Sequence, residues 1–95
     1  MKILVFVSKW VGLKCLDVLF TDFVDDEYEF IVMEPDAKLI IDTLNEHDYQ
    51  YKILNDETID WIQSREDGYF DWLLNLWGGY IFKDDILVKV KKSLN

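Results

Sequence analysis

Two short stretches of this 95-residue chain contain residues that could bind a ligand, and the first is Ser8 to Gly12. It follows an apolar run and precedes a helical pattern, and free backbone N–H groups at a helix start can receive a phosphate or carboxylate. Trp10 could stack on a sugar or base. The alternative is a plain turn in which Gly12 only eases helix packing and Trp10 packs on the helix that follows. The glycines of a dinucleotide or P-loop motif are missing.

The second stretch contains Gly78 and Gly79, directly after the apolar run 72–77. Successive glycines allow backbone conformations that let the chain approach a ligand closely. Ile81 and Phe82 continue apolar beyond the run, which a solvated loop would not do. Either a flat heteroaromatic ligand or the rest of the core must therefore cover them.

The remaining conspicuous residues favour structural roles. Cys15 lies among apolar residues and is expected to be a small buried hydrophobic residue. His47 stands between two acidic residues and is expected to be solvated, and one histidine with one cysteine makes no metal site. The acidic residues 25–27 lack the spacing of a calcium loop. Asp84 and Asp85 are adjacent, so they suit helix capping better than a catalytic carboxylate pair.

The charge balance, the cysteine count and the length of the first apolar run indicate which partners and which cell compartment to expect. Nineteen acidic against ten basic residues give a net charge of −9, which argues against binding to nucleic acid through a basic surface. A single cysteine permits no internal disulfide. The apolar run Ile3 to Val7 is too short to span a membrane and lacks a signal-peptide cleavage site. A cytoplasmic protein without membrane contact is the expectation.

The two stretches connect strands to helices within an alternating pattern of predicted strands and helices. Helical patterns begin near Val11, at the N-cap candidates Asp36 and Asn55, and at Asp84, whose helix is expected to include Ile86, Leu87 and Val90. Strands are predicted over 3–7, 28–33, 51–54 and 72–77. This order predicts one α/β unit over 1–95, a Rossmann-like parallel sheet of about four strands with flanking helices. Ligands bind such sheets beyond the carboxyl ends of the strands, where both stretches lie.

Several of these features together resemble a known family. The strand 72–77, the glycine-containing segment that ends in a small apolar patch, the short helix after it and the terminal Ser93-Leu94-Asn95 look like the N-terminal half of the 10-formyltetrahydrofolate-dependent formyltransferases. The opening 1–7, with a helix beginning near Val11, also resembles the start of that family. Its next strand opens with Asn-x-His-Pro-Ser, which Asn95 would begin.

The resemblance implies an enzyme that transfers a formyl group from 10-formyltetrahydrofolate to an amine. The acceptor would be an amino sugar on a nucleotide, methionyl-tRNA or glycinamide ribonucleotide. Asn95 would donate a hydrogen bond to the formyl oxygen as charge develops on it. The folate would lie against Gly78, Gly79, Tyr80, Ile81, Phe82 and Leu87. The acceptor would face Ser8, Lys9, Trp10 and Gly12.

The same resemblance implies that the chain is incomplete as a catalyst. The family's catalytic histidine and aspartate come after the position of Asn95, so the 95-residue chain is expected to be inactive by itself. A central strand at 72–77 would then have one open apolar edge, which predicts a homodimer or strand exchange. The alternative is a complete α/β module that binds a ligand or a partner chain without catalysis.

Overall fold

The computed structural model describes residues 1–22, 25–76 and 82–94, and in them the chain forms an α/β fold around one parallel sheet. The sheet has five strands in the order β3-β2-β1-β4-β5. The elements are β1 (Lys2–Val7), α1 (Lys9–Asp22), β2 (Glu27–Val32), α2 (Ala37–Glu46), β3 (Tyr51–Ile53), α3 (Asp56–Gln63), β4 (Phe70–Leu76), α4 (Asp84–Leu87) and β5 (Val90–Leu94). The predicted Rossmann-like parallel architecture is confirmed.

The central strand β1 explains why its sequence is continuously apolar. It pairs with β2 on one side and β4 on the other, so its two faces both lie inside the protein. Ile3, Val5 and Val7 pack with α1 and α2, while Leu4 and Phe6 pack with residues of α3 and α4 on the opposite face. A strand covered on both faces has no position for a polar alternation.

The strand order reverses between β1 and β4. From β1 the chain moves outward to β2 and β3, and it returns to the other side of β1 with β4. Ligands of open α/β sheets bind in the crevice at such a reversal, beyond the carboxyl ends of the strands. Ser8, which follows β1, and Leu76, which ends β4, lie at this crevice.

The structure agrees with some of the predicted helix starts and N-caps and differs from others. Asn55 accepts a hydrogen bond from the Thr58 backbone N–H at 2.8 Å and caps α3 as predicted. Asp36 does occupy the N-cap position of α2, but its φ is 68° and its side chain makes no capping bond. Asp84 and Asp85 form the first turn of α4, where carboxylates interact favourably with the helix dipole. None of the helices in the described residues is long and apolar enough to cross a membrane.

The last predicted helix is wrong beyond Leu87. The chain leaves α4 after one turn, and Val90 begins β5, which pairs in parallel with β4. The step from Ile86 to Val90 fits a helix, but extended backbone at 90–94 gains a ladder with Phe70 to Leu74. The edge expected to be open along 72–77 is therefore paired with β5 from Trp72 to Leu74. Dimerisation or strand exchange through this strand stays a prediction.

Candidate functional site

The stretch Ser8 to Gly12 is a helix start rather than a loop, which corrects the expectation. Only Ser8 separates β1 from α1, because Lys9 adopts a left-handed φ of 65° and turns the chain directly into the helix. Trp10 and Gly12 are thus residues of the first helical turns. The predicted substrate contacts are still adjacent, but they lie on a short and tightly held connection.

Two backbone donors of this connection are already occupied. The N–H of Ser8 donates to the Leu76 carbonyl at 3.2 Å, and the N–H of Lys9 donates to the Pro35 carbonyl at 2.9 Å. Ser8 is also fully buried. The first bond joins the end of β1 to the end of β4, and the second joins α1 to the loop before α2. Neither donor is therefore free to receive an anion in this conformation.

Gly12 lies where α1 comes closest to the sheet. A Cβ at this position would be 2.7 Å from the Leu76 carbonyl oxygen and 3.2 Å from Cγ2 of Val7. Those distances are too short for a side chain, so glycine allows the helix to contact the carboxyl ends of β1 and β4. This supports the packing alternative for Gly12. A direct contact between Gly12 and an acceptor stays a prediction.

Trp10 is the exposed aromatic residue of this region. Its accessible fraction is 57%, and Lys14 Nζ lies 5.1 Å from the ring centroid. The indole ring therefore stands mostly in solvent instead of packing fully on the helix. Stacking on a sugar or base remains a prediction for Trp10.

The predicted folate-facing segment is described only at its end. Gly78, Gly79, Tyr80 and Ile81, together with the predicted catalytic Asn95, lie outside the described residues. Phe82 is half-buried, and its ring meets the Phe6 ring edge-on at 4.7 Å between centroids. Leu87 packs against the same apolar cluster. The core thus covers part of Phe82, as one of the two alternatives expected, and its contact with a ligand stays a prediction.

A cavity that the sequence did not reveal opens at the same edge of the sheet. Its volume is about 610 Å³, and it lies at the carboxyl ends of β2 and β3, beside the first turns of α2. Two charged side chains border it, Glu34 and Lys38, and both are exposed. The apolar lining residues are Val32, Met33, Ala37, Ile41, Ile53 and Leu54.

The lone histidine and the lone cysteine take part in no metal cluster within the described ranges. His47 is exposed, its Nδ1 lies 2.9 Å from the Thr43 carbonyl oxygen, and its ring stacks on Phe20 at 4.4 Å between centroids. This matches the predicted solvated position. Cys15 is a free thiol of intermediate burial and is therefore less covered than expected.

Among the described residues, two groups have displaced pKa values, and both lie at the opposite, amino end of the sheet. Burial, with smaller contributions from Asp26 and Tyr49, raises the pKa of Tyr28 to about 12. Hydrogen bonds from the Lys2 backbone N–H and the Lys91 ammonium lower the pKa of Asp71. Because these groups are far from the carboxyl edge where ligands bind, they indicate structural rather than catalytic roles.

The fold and the edge geometry define a class, the Rossmann-like α/β proteins with a crevice at the reversal of strand order. Neither a comparison with models of protein families nor a comparison with curated proteins finds a match for this chain.

Proposed function

We propose that this chain is the N-terminal portion of a formyltransferase that moves a formyl group from 10-formyltetrahydrofolate to an amine. The observation that carries the proposal is the reversal of strand order between β1 and β4. It brings Ser8 and the end of β4 at Leu76 to one crevice. Ser8 begins the stretch proposed for the acceptor, and Leu76 precedes the stretch proposed for the folate. The Ser8 N–H donates to the Leu76 carbonyl oxygen at 3.2 Å, which joins the ends of β1 and β4.

In this proposal the folate is held by the segment 78–82, with Leu87 beside it. Phe82 and Leu87 pack on the core while staying partly exposed. In this proposal the flat ring of folate lies against their exposed parts. Asn95 donates a hydrogen bond to the formyl oxygen, and the side chains of Lys9 and Trp10 face the amine acceptor. The acceptor is a nucleotide-linked amino sugar or methionyl-tRNA, and the protein works in the cytoplasm.

A catalytic histidine and aspartate would come from outside this chain, which is therefore inactive alone. The role of the 95 residues is to bind and orient the two substrates. Asn95 contributes by stabilising negative charge on the formyl oxygen, an interaction that strengthens as the tetrahedral intermediate forms.

A second candidate is a non-catalytic α/β module. It is favoured by β5, which covers β4, and by apolar clusters on both faces of the sheet. A packed unit of this kind can bind a ligand without further residues. The two candidates differ in whether the segment 78–82 recognises folate.

The test is calorimetric titration of the chain with a stable 10-formyltetrahydrofolate analogue. We expect saturable heat that Gly79→Trp abolishes, because an indole at 79 would fill the folate-facing segment. Val88→Trp is the matched control, since Val88 is 47% exposed beyond α4 and the same indole there should leave binding unchanged. A folded sample that releases no heat contradicts folate binding and favours the non-catalytic module.

A further inference from the structure

One face of β4 is incompletely covered beside α1. Leu73, on the face that packs with α3 and α4, is 1% exposed, whereas Trp72 and Leu74 on the other face stay partly exposed. The buried residues of that second face come from β1, β2, α1 and α2. Parallel strands are ordinarily covered by helices on both faces. In the part of the chain that the structure describes, no helix buries β4 on the α1 side, and we call this surface of β4 and β5 the open face.

Next to the open face, α1 exposes an apolar stripe. The Phe20 ring stacks on the Tyr49 ring, which follows α2, so the Phe20 flank of α1 faces α2. Val11, Cys15 and Val18 are spaced by four and three residues and therefore share the opposite flank, toward β4. Val11 is 41% exposed and Val18 is 51% exposed, while Cys15 is half-buried. Apolar surface is thus continuous from this flank of α1 to the open face.

The charges around these two surfaces suit a second copy of the chain. In α1 two lysines balance two aspartates, whereas α2, α3 and α4 each contain more acidic than basic residues. Two copies of a chain with a net charge of −9 therefore repel each other least along α1. Lys92 belongs to the open face, since its Nζ lies 5.6 Å from the centroid of the Trp72 ring, and Asp17 is exposed on α1. Neither side chain belongs to an ion pair within the described ranges.

We propose that two copies of this chain form a dimer in which α1 of each copy covers the open face of the other. A two-fold axis parallel to the strands produces this arrangement, with one shared helix layer between two sheets. The two α1 helices then lie side by side and parallel. The spacing of Val11, Cys15 and Val18 is that of a seam between parallel helices, so each faces its own counterpart. This dimer goes beyond formyl transfer and does not depend on it, because neither Asn95 nor the segment 78–82 takes part.

The same symmetry pairs Lys92 with Asp17. From the carboxyl end of β1, α1 runs back along the sheet toward the amino end of β2, so Asp17 in its second half returns toward the amino half of the sheet. Lys92 pairs there with Trp72, which in turn pairs with Ile3 of β1. Lys92 of one copy therefore meets Asp17 of the other, and the two-fold axis repeats the pair. The apolar contacts hold the two copies together, and the ion pairs fix their register.

Sedimentation equilibrium of the 95-residue chain tests the dimer. We expect the wild type to be dimeric at high micromolar concentration and Val18→Glu to be monomeric, because an unpaired carboxylate would be buried in the apolar seam. Leu39→Glu is the matched control, since Leu39 is 50% exposed on α2 and the substitution changes the charge equally. This control should remain dimeric. A monomeric wild type, or a Val18→Glu protein that stays dimeric, would overturn the proposal.

Cysteine crosslinking tests the parallel arrangement of the two α1 helices. Cys15 is the only cysteine of the chain, so mild oxidation of the dimer should join it to Cys15 of the other copy. A dimer band should appear on a non-reducing gel, and Val18→Glu should reduce its yield while Leu39→Glu leaves it unchanged. A dimer that gives no such band, as expected for copies paired through a strand edge, would overturn the α1 seam.

Charge reversal tests the ion pair between the copies. Lys92→Glu should weaken the dimer about tenfold, since two symmetric pairs are lost, and the further substitution Asp17→Lys should restore it. Lys83→Glu is the control for net charge, because Lys83 is exposed before α4 and the charge changes equally. This control should leave the dimer intact. An equal loss of affinity in Lys83→Glu, or no recovery in the double variant, would overturn the pairing of Lys92 with Asp17.

Discussion

At the scale of single residues, Asp71 connects three strands of the sheet. It lies on β4, its Oδ2 accepts the Lys2 backbone N–H at 2.8 Å from β1, and its Oδ1 accepts from Lys91 Nζ at 3.1 Å from β5. Both bonds favour the ionised carboxylate, so they hold the pKa of Asp71 below its usual 3.8. Protonation of Asp71 would weaken both connections.

Asp71→Asn should therefore destabilise the protein at neutral pH and much less in acid. With a folded pKa below the unfolded one, the carboxylate contributes stability above the unfolded pKa and loses it as pH falls from about 3.8 through the folded pKa. Urea unfolding midpoints of the wild type and the variant measure this. The difference between the midpoints of the wild type and the variant should become smaller as the pH is lowered below about 4. If the difference between the two midpoints were the same at neutral pH and in acid, the charge of Asp71 would not be the source of its contribution to stability.

At the scale of elements, the contact of α1 with the sheet depends on Gly12. Gly12→Ala would gain helix propensity of up to about 1 kcal/mol, but its Cβ would meet a backbone oxygen at 2.7 Å. Overpacking of this kind costs about 1–3 kcal/mol, because backbone cannot move aside as a flexible side chain can. The cost of the clash should exceed the gain in helix propensity. We therefore expect the free energy of unfolding to fall by about 1 kcal/mol and the melting temperature by roughly 4–8 °C.

Lys14→Ala is the matched control for this substitution. Lys14 is exposed on the same helix, so the change should stay within about 0.5 kcal/mol of the wild type. Thermal unfolding followed by circular dichroism measures both variants. A Gly12→Ala protein as stable as the wild type would mean that α1 can move away from β4 at little cost.

The sequence predicted the elements with strong local signals and missed those decided by distant contacts. The continuous apolar run of β1 and the Asn55 cap are local features, and both are confirmed. The segment 90–94, with two lysines and one serine, has no strand periodicity, and only its pairing with Phe70 to Leu74 makes it extended. Its lysines suit an edge strand, since charged side chains discourage pairing with another chain.

The candidate site also has a part that the sequence predicts and a part that depends on distant contacts. The ligand edge follows from the alternation of strands and helices, so Ser8 to Gly12 could be placed there from the sequence. The helix begins at Lys9, whose N–H donates to the Pro35 carbonyl in a loop 26 positions further along the chain. The local sequence could not predict this contact. The cavity at β2 and β3 combines apolar residues from three segments, each of which reads as core by itself.

At the scale of the whole molecule, acidic charge is largely uncompensated. Ion pairs within the described residues use three lysines and the N-terminal ammonium, against nineteen acidic residues in the chain. A net charge of −9 on a molecule with a radius of gyration of 12.4 Å opposes its own compaction. Added salt shortens the Debye length from about 30 Å at 0.01 M to about 3 Å at 1 M and screens this repulsion.

The melting temperature should therefore rise between about 0.01 M and 1 M KCl. The double substitution Asp42→Lys and Glu46→Lys isolates the effect of net charge. Both positions are exposed on α2 and four residues apart, so two lysines keep a like-charged pair there while the net charge falls from −9 to −5, two units for each exchange. We expect the double variant to melt higher than the wild type at low salt and at nearly the same temperature in 1 M KCl. A wild-type melting temperature that falls with salt would instead mean that the ion pairs Glu29–Lys52 and Asp71–Lys91 outweigh the general repulsion, because screening would then remove more attraction than repulsion.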